Sequence, residues 1–261
     1  MRIEFLTEED SLYILPFFEE FVSRYAGQFE ILQISCAPIM GSRPRRQLVR
    51  ELMWLYGPVG LARLAARHLR SKILSHFPRR QGAGKYHSVE QICRAYGIPY
   101  AKITNPNSQQ FTSAARERAA DAIVSIACPY ILKRPLLELP RLGCINIHHA
   151  RLPQYRGMMP TFWQLYHGEK KVGVTIHFME EAIDGGHALF QGSLDVMKGE
   201  TLDHLIRRSK KHAAHELSKV LRLLSSNQCQ SFAIDRQSGS YFTFPTRQQI
   251  AEFHARGLKS I

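Results

Sequence analysis

Asn146 and His148 stand two residues apart in CINIHH (144–149), and Asp184 lies in the acidic, glycine-rich turn EEAIDGG (180–186). Alternate residues of a strand project to the same side, so a strand ending here would present the amide and the imidazole together. Only tertiary structure can bring the distant carboxylate to them. An amide donor, an imidazole and a carboxylate suit acyl transfer. The first two can hydrogen-bond a developing oxyanion while the third tunes or shuttles protons. The same residues also read as plain architecture, with Asn-x-His as strand residues and Asp-Gly-Gly as a turn. Spacing alone leaves both readings open.

The surrounding pattern indicates what must position them. MRIEFL (1–6), FEILQISC (29–36), PYAKIT (99–104), DAIVSIA (121–127) and CINIHH are short apolar runs separated by helical patterns at 11–26, 88–97 and 113–121. That alternation predicts an α/β fold whose parallel sheet is covered by helices on both faces. In such folds ligands bind at the carboxyl ends of the strands. Beyond residue 172 the pattern changes: VGVTIHFM (172–179) alternates as a strand, and HALFQGSLDV returns antiparallel to it. Residues 201–226 predict one amphipathic helix capped by Thr201. The tail predicts a hairpin turning at QSGS (237–240) and a final short helix. The expected division is a catalytic domain over 1–226 and a C-terminal extension over 227–261.

With 44% apolar and 22% charged residues in a chain of 261, disorder and low-complexity arrays are excluded as the main architecture. Cysteines at 36, 93, 128, 144 and 229 form no CxxC pair, which points to reduced, buried thiols. The first ten residues carry acids and no long apolar run follows, so neither a signal peptide nor a spanning helix is expected. The expected location is cytoplasmic, with peripheral contact at the inner face of a membrane as a further expectation. Twelve histidines include no HExxH or similar spacing, so no metal is expected, and solvent exposure accounts for His204, His212 and His215. The net charge of +13 predicts an anionic partner. Residues 41–85 hold +10 of it and read as a basic helical insertion, with Arg63, Arg67 and Arg70 at helical spacing and a break at Gly57-Pro58. That insertion either packs on the core with a solvated basic face or meets an anionic surface.

Residues 143–192 as a block resemble the signature of the folate-dependent formyltransferase family. The matching elements are Asn146-Ile147-His148, Leu152-Pro153-Gln154-Tyr155-Arg156-Gly157, Gly173-Val174-Thr175-Ile176-His177 and Asp184-Gly185-Gly186. The resemblance implies a Rossmann-like domain that uses 10-formyltetrahydrofolate as formyl donor, with no metal. It implies Asn146, His148 and Asp184 as the catalytic trio, Asp184 keeping His148 protonated and helping to remove the amine proton. CPYILK (128–133) matches the family's pterin loop, which implies donor binding by Pro129, Tyr130, Leu132 and Gly185. Tyr155, Arg156, Gly157 and His177 are the implied acceptor-binding residues, with a turn anchor and a core histidine as the plainer roles of Arg156 and His177.

Within that family, methionyl-tRNA formyltransferases add a C-terminal barrel, and about 75 residues follow Asp184 here, so tRNA is disfavoured as a partner. LTEEDS after the first strand lacks the glycine-rich phosphate loop of glycinamide ribonucleotide transformylases. The expected reaction is formyl transfer to an amine of a small anionic acceptor, a nucleotide-linked amino sugar by elimination. The alternatives are hydrolysis of 10-formyltetrahydrofolate and a silent folate-binding or membrane-associated scaffold. The oligomeric state is left open.

Overall fold

Neighbouring residues of the first strand belong to different cores: Phe5 packs in one apolar cluster and Leu6 in another. The same split separates Val124 from Ile123 and Ile145 from Cys144. A sheet whose strands alternate between two apolar surroundings must be covered on both faces.

A computed structural model describes residues 1–39, 44–181, 184 and 186–261. The chain runs β1 (Arg2–Glu8), α1 (Leu15–Tyr25), β2 (Glu30–Ala37), α2 (Arg45–Leu74), α3 (Val89–Tyr96), β3 (Tyr100–Lys102), α4 (Gln109–Arg118), β4 (Ala122–Ile126) and α5 (Arg134–Leu137). It continues through β5 (Cys144–His148), β6 (Arg156–Gly157), α6 (Pro160–Tyr166), β7 (Lys171–Phe178), β8 (Ala188–Asp195), α7 (Leu202–Ser225), β9 (Tyr241–Phe242) and α8 (Arg247–Ala255). Among the described residues, seven strands form one sheet in the order β3-β2-β1-β4-β5-β7-β8. The pairings from β3 to β5 are parallel, whereas β5·β7 and β7·β8 are antiparallel. The fold is therefore the expected Rossmann-like, mostly parallel α/β sheet with helices around it.

On one face Phe5 meets Phe18 and Phe21 of α1 edge-on, at centroid distances of 5.3 and 5.2 Å, and Ala213, Leu217 and Leu221 of α7 complete the cluster. On the other, Leu6 and Ile123 pack with Phe111 and Ala115 of α4 and Leu136 of α5. Glu4, fully buried, is held bidentately by Arg118 at 2.8 and 3.0 Å. A third cluster joins Leu55 and Leu64 of α2, Phe162 and Trp163 of α6, Leu205 of α7 and Phe253 of α8. The insertion thus buries one side against the body of the molecule. It breaks where expected: Gly57 leaves the helical conformation (φ 65°, ψ 175°) just before Pro58.

Local signals set several helix ends. The Ser88 hydroxyl accepts from the Gln91 amide and Gly97 closes α3 in the left-handed region, while Thr201 caps α7 by accepting from His204. The fourth helix starts at Gln109, earlier than the 113–121 pattern implies, because Ser108 caps it through the Phe111 amide.

Two readings of the C-terminal half need correction. QSGS does not turn a hairpin: residues 236–238 form a 3₁₀ turn, and β9 pairs in parallel with β6, more than eighty residues earlier. Long-range pairing overrides a local turn signal here. His212 and His215 are half-buried, and His215 Nε2 lies 3.0 Å from the Glu20 carboxylate, so solvent exposure accounts only for His204. Of the cysteines, Cys36, Cys93 and Cys144 are buried and Cys128 and Cys229 are partly exposed; all are free thiols. Burial pushes the Cys36 and Cys144 thiols up to about 12. Among the described residues, no helix is long and apolar enough to cross a membrane.

Candidate active site

β5 ends at His148 beside β7, with Asn146 opposite His177 and His148 opposite Thr175. The Gly-x-Thr-x-His pattern on β7 now has a physical reading, because its three alternate residues each secure part of the 146–152 segment. His177 Nδ1 donates to the Phe178 carbonyl at 2.8 Å. In the neutral ring Nε2 then accepts from the Asn146 amide at 3.2 Å, fixing the orientation of that amide. The Thr175 hydroxyl donates to the Ala150 carbonyl at 2.7 Å and accepts from the Leu152 amide at 3.1 Å. Gly173 lies against the backbone of Arg151, where a Cβ would stand 2.2 Å from the amide nitrogen.

His148 and Asp184 come together despite their separation in sequence. His148 Nδ1 is 3.3 Å from Asp184 Oδ1, and both side chains are more than nine-tenths buried. His148 Nε2 donates to the Tyr155 carbonyl at 2.8 Å. Asp184 Oδ2 accepts from the Gly157 amide at 2.8 Å, with Asp184 itself at φ 49°. The imidazole therefore faces an acceptor on each nitrogen, and a ring protonated at both positions satisfies both. A neutral ring would direct a lone pair at one of these two acceptors.

The Tyr155-Arg156-Gly157 turn contributes mainly through its backbone. The phenol of Tyr155 points away to Glu169, at 2.9 Å, and its ring stacks on Phe242 with centroids 5.6 Å apart. The turn rests on the C-terminal tail: the Tyr155 amide donates to the Ser240 hydroxyl at 2.9 Å, and the Met158 amide to the Phe242 carbonyl at 2.8 Å. Gly157 has φ 91°, and a Cβ there would stand 2.3 Å from the Phe242 carbonyl oxygen. Arg156 is half-buried, and its Nε has no hydrogen-bond partner among the described residues.

In the 128–133 loop, Pro129 and Tyr130 are half-buried and Ile131 is exposed. The Leu132 side chain is fully buried with Phe111 and Leu136, so it supports the loop from behind. Asn107 pins the same backbone, donating to the Ile131 carbonyl at 2.9 Å and accepting from the Lys133 amide at 2.8 Å. Tyr130 donates its hydroxyl to the Thr104 carbonyl. The loop thus keeps an accessible outer side on a braced backbone. Gly185 lies outside the described residues.

Sequence reasoning missed Gln164, Gln191, Ser240 and the buried group behind β5. Gln164 accepts from the Gly173 amide at 2.7 Å and donates to the His149 carbonyl at 2.8 Å, tying α6 to β7 and to the residue that follows β5. Gln191 donates to the Leu152 carbonyl. No local signal marks these residues, because each joins segments far apart in sequence. His149 Nδ1 hydrogen-bonds the Ser209 hydroxyl of α7 at 2.9 Å, and burial holds its imidazole neutral, well below the ordinary range. Beside it Lys210 is buried, and desolvation, opposed by Glu8 and Asp10, pulls its ammonium down to about 8.

That lysine has a measurable consequence. The folded protein releases the Lys210 proton near pH 8, whereas the unfolded chain holds it to about 10.4. Across that window the unfolded state binds more protons, so this group's contribution to stability rises with pH. The parent should gain up to about 3 kcal/mol relative to Lys210→Met between those limits. Urea unfolding of both proteins at several pH values checks this, and parallel curves would contradict it. The difference cancels the opposite trend of acids raised by burial, such as Cys36.

A Rossmann-like sheet with a strand-end amide and imidazole, completed by a carboxylate from the neighbouring hairpin, defines a class able to stabilise an oxyanion beside a proton-handling group. The formyl transferase family model matches residues 73–221, more than half of the chain. The chain belongs to the formyl transferase family. It is 35% identical over 140 residues to a methionyl-tRNA formyltransferase of Syntrophus aciditrophicus, covering 54% of this chain and 45% of that one. A methionyl-tRNA formyltransferase of Clostridioides difficile is 29% identical over 153 residues, covering 59% and 50%. The chain spans about half the length of these relatives. A sugar N-formyltransferase from a Shewanella species shares the fold, with a TM-score of 0.56 and 19% identity over 98% of this chain and 87% of that one. So does glycinamide ribonucleotide transformylase 1 from Symbiobacterium toebii, with a TM-score of 0.56 and 18% identity over 90% and 94%.

The relatives correct one expectation, that tRNA is disfavoured as a partner. Proteins named for methionyl-tRNA match more than half of this chain. Counting residues after Asp184 concerns an appended domain and does not bear on the core that those proteins share.

Proposed function

We propose that the protein transfers a formyl group from 10-formyltetrahydrofolate to a primary amine on an anionic acceptor, with Asn146, His148 and Asp184 at the reacting centre. The observation that supports this most directly is the placement of His148 between the Asp184 carboxylate and the Tyr155 carbonyl, two residues from an amide oriented by His177. The donor supplies a formyl carbon bound to nitrogen. Asn146, through the amide hydrogen not directed at His177, stabilises the negative charge that develops on the formyl oxygen when the amine nitrogen bonds to that carbon, with His148 on the same side of the strand end. Asp184 orients the ring from Nδ1 and helps to take the proton that the amine releases. Collapse breaks the carbon–nitrogen bond to the donor, whose nitrogen gains a proton as the formamide leaves.

Pro129, Tyr130 and the outer backbone of 128–133 would hold the donor's ring system, a loop braced from behind by Leu132 and Asn107. Arg156, with an unpaired Nε, and the basic balance of the chain favour an acceptor carrying negative charge. A nucleotide-linked amino sugar is the small-molecule form of such an acceptor. An aminoacylated tRNA is the macromolecular form, carried by the names of the sequence relatives.

Both belong in the test. The purified protein is incubated with 10-formyltetrahydrofolate, a pool of amine metabolites and aminoacylated tRNA, and the products are read by mass spectrometry. One acceptor is expected to gain a formyl group, and the gain should vanish with Asp184→Asn. Free formate without a modified amine would count against transfer, as would an unchanged donor.

A further inference from the structure

The second half of α2 presents to solvent a surface that the proposed chemistry does not use. Val59, Leu69, Ile73 and Phe77 are 64, 58, 54 and 58% exposed, and Ala62 and Ala66 between them are exposed as well. From Val59 to Ile73 the spacing alternates threes and fours, which on a helix draws a single apolar stripe, and Phe77 follows three residues beyond the helix end. Arg63 and Arg70, both exposed, border one edge of that stripe, and Lys72 borders the other. No Asp or Glu occurs between Glu51 and Glu90, so the sequence offers the stripe only basic neighbours. The opposite side of the helix is anchored in the body: Leu64 is buried in the third cluster, and Arg67 pairs with Asp203 of α7 at 2.9 Å. The family model matches residues 73–221, and most of this helix precedes them.

We propose that this face, from Val59 to Phe77, docks on the surface of a bilayer containing anionic lipid. An amphipathic helix lying in the interface buries its apolar stripe among the acyl chains, while arginines and lysines at its edges reach the phosphates. The charge pattern argues for this occupant over a second copy of the chain. Apposing two such faces would bring Arg63 and Arg70 against like charges with no acid to offset them. It also argues against RNA, which would engage the arginines but leave Leu69, Ile73 and Phe77 without a role. The helix packs rigidly on the fold through Leu64 and the Arg67–Asp203 pair, so docking would bring the whole molecule to the surface.

Flotation with lipid vesicles tests this independently of formyl transfer, so the two proposals fail separately. The full chain is mixed with vesicles of phosphatidylcholine alone, or with about one-third phosphatidylglycerol, at about 0.1 and 0.5 M salt. It should float with the anionic vesicles at low salt, and weakly at high salt or with neutral lipid. Arg63→Gln with Arg70→Gln should lower the partition coefficient roughly 25-fold, about fivefold for each charge. Leu69→Ser with Ile73→Ser and Phe77→Ser keeps the charge and should lower it more than about tenfold. All five side chains are exposed, so matching thermal melts are expected for the variants. Failure to float with anionic vesicles overturns the proposal, and so does a serine variant that floats like the parent. Binding of labelled RNA, lost with the arginine pair while no flotation occurs, would assign the face to nucleic acid instead.

Discussion

Asp184→Asn is expected to lower kcat/KM for formyl transfer by about 10²–10³, the range seen when one preorganised electrostatic partner is removed from a reacting centre. The substitution is nearly isosteric, and its amide oxygen can still accept from the Gly157 amide, which Asp184 Oδ2 does at 2.8 Å. It removes the negative charge 3.3 Å from His148 Nδ1. Without that charge His148 loses the anionic acceptor facing Nδ1, while Nε2 still faces the Tyr155 carbonyl at 2.8 Å. The loss should therefore fall on kcat more than on KM, with little change in melting temperature. Steady-state kinetics with any acceptor found by mass spectrometry would check this. Activity within tenfold of the parent would remove Asp184 from the mechanism.

Gly173→Ala is expected to destabilise the protein by about 3 kcal/mol or more, at the upper end of overpacking effects. A Cβ at this position would lie 2.2 Å from the Arg151 amide nitrogen, 2.7 Å from the Ala150 carbonyl carbon and 2.9 Å from the Arg151 Cα. All three atoms are backbone, so no side chain can swing aside. Thr175, two residues on, hydrogen-bonds that same segment and resists its displacement. Gly27→Ala is the matched control: its Cβ would meet nothing within 4 Å, and stability should stay within about 0.5 kcal/mol of the parent. Urea unfolding measures both. A Gly173→Ala protein as stable as the parent would mean that β7 does not lie against residues 150–151.

Much of the architecture was legible because it is written in short-range pattern. Apolar runs such as DAIVSIA predict a strand with two buried faces, and in the fold Ile123 and Val124 do face separate clusters. Thr201 marks a helix start and Gly57-Pro58 a helix break, since capping and backbone restriction act within a few residues. The family pattern was legible for the same reason. Asn-x-His and Gly-x-Thr-x-His are period-two motifs on adjacent strands, so each set of alternate residues shares a side.

What the chain does with the turn between those strands was decided only by tertiary structure. Nothing local announces that Arg156-Gly157 pairs in parallel with Tyr241-Phe242, or that QSGS supports this turn and makes no hairpin. The Tyr155 phenol, a natural candidate for touching an acceptor, is drawn to Glu169, and its carbonyl meets His148 instead. Lys210 reads as one more base on a helix until the fold buries it beside Glu8 and Asp10 and lowers its affinity for a proton. Side-chain periodicity is a property of neighbouring residues, so sequence alone determined the main strands of the sheet, the Thr201 cap and the types of group available for chemistry. Partner, burial and direction depend on segments far apart in the chain, and those only the folded structure could set.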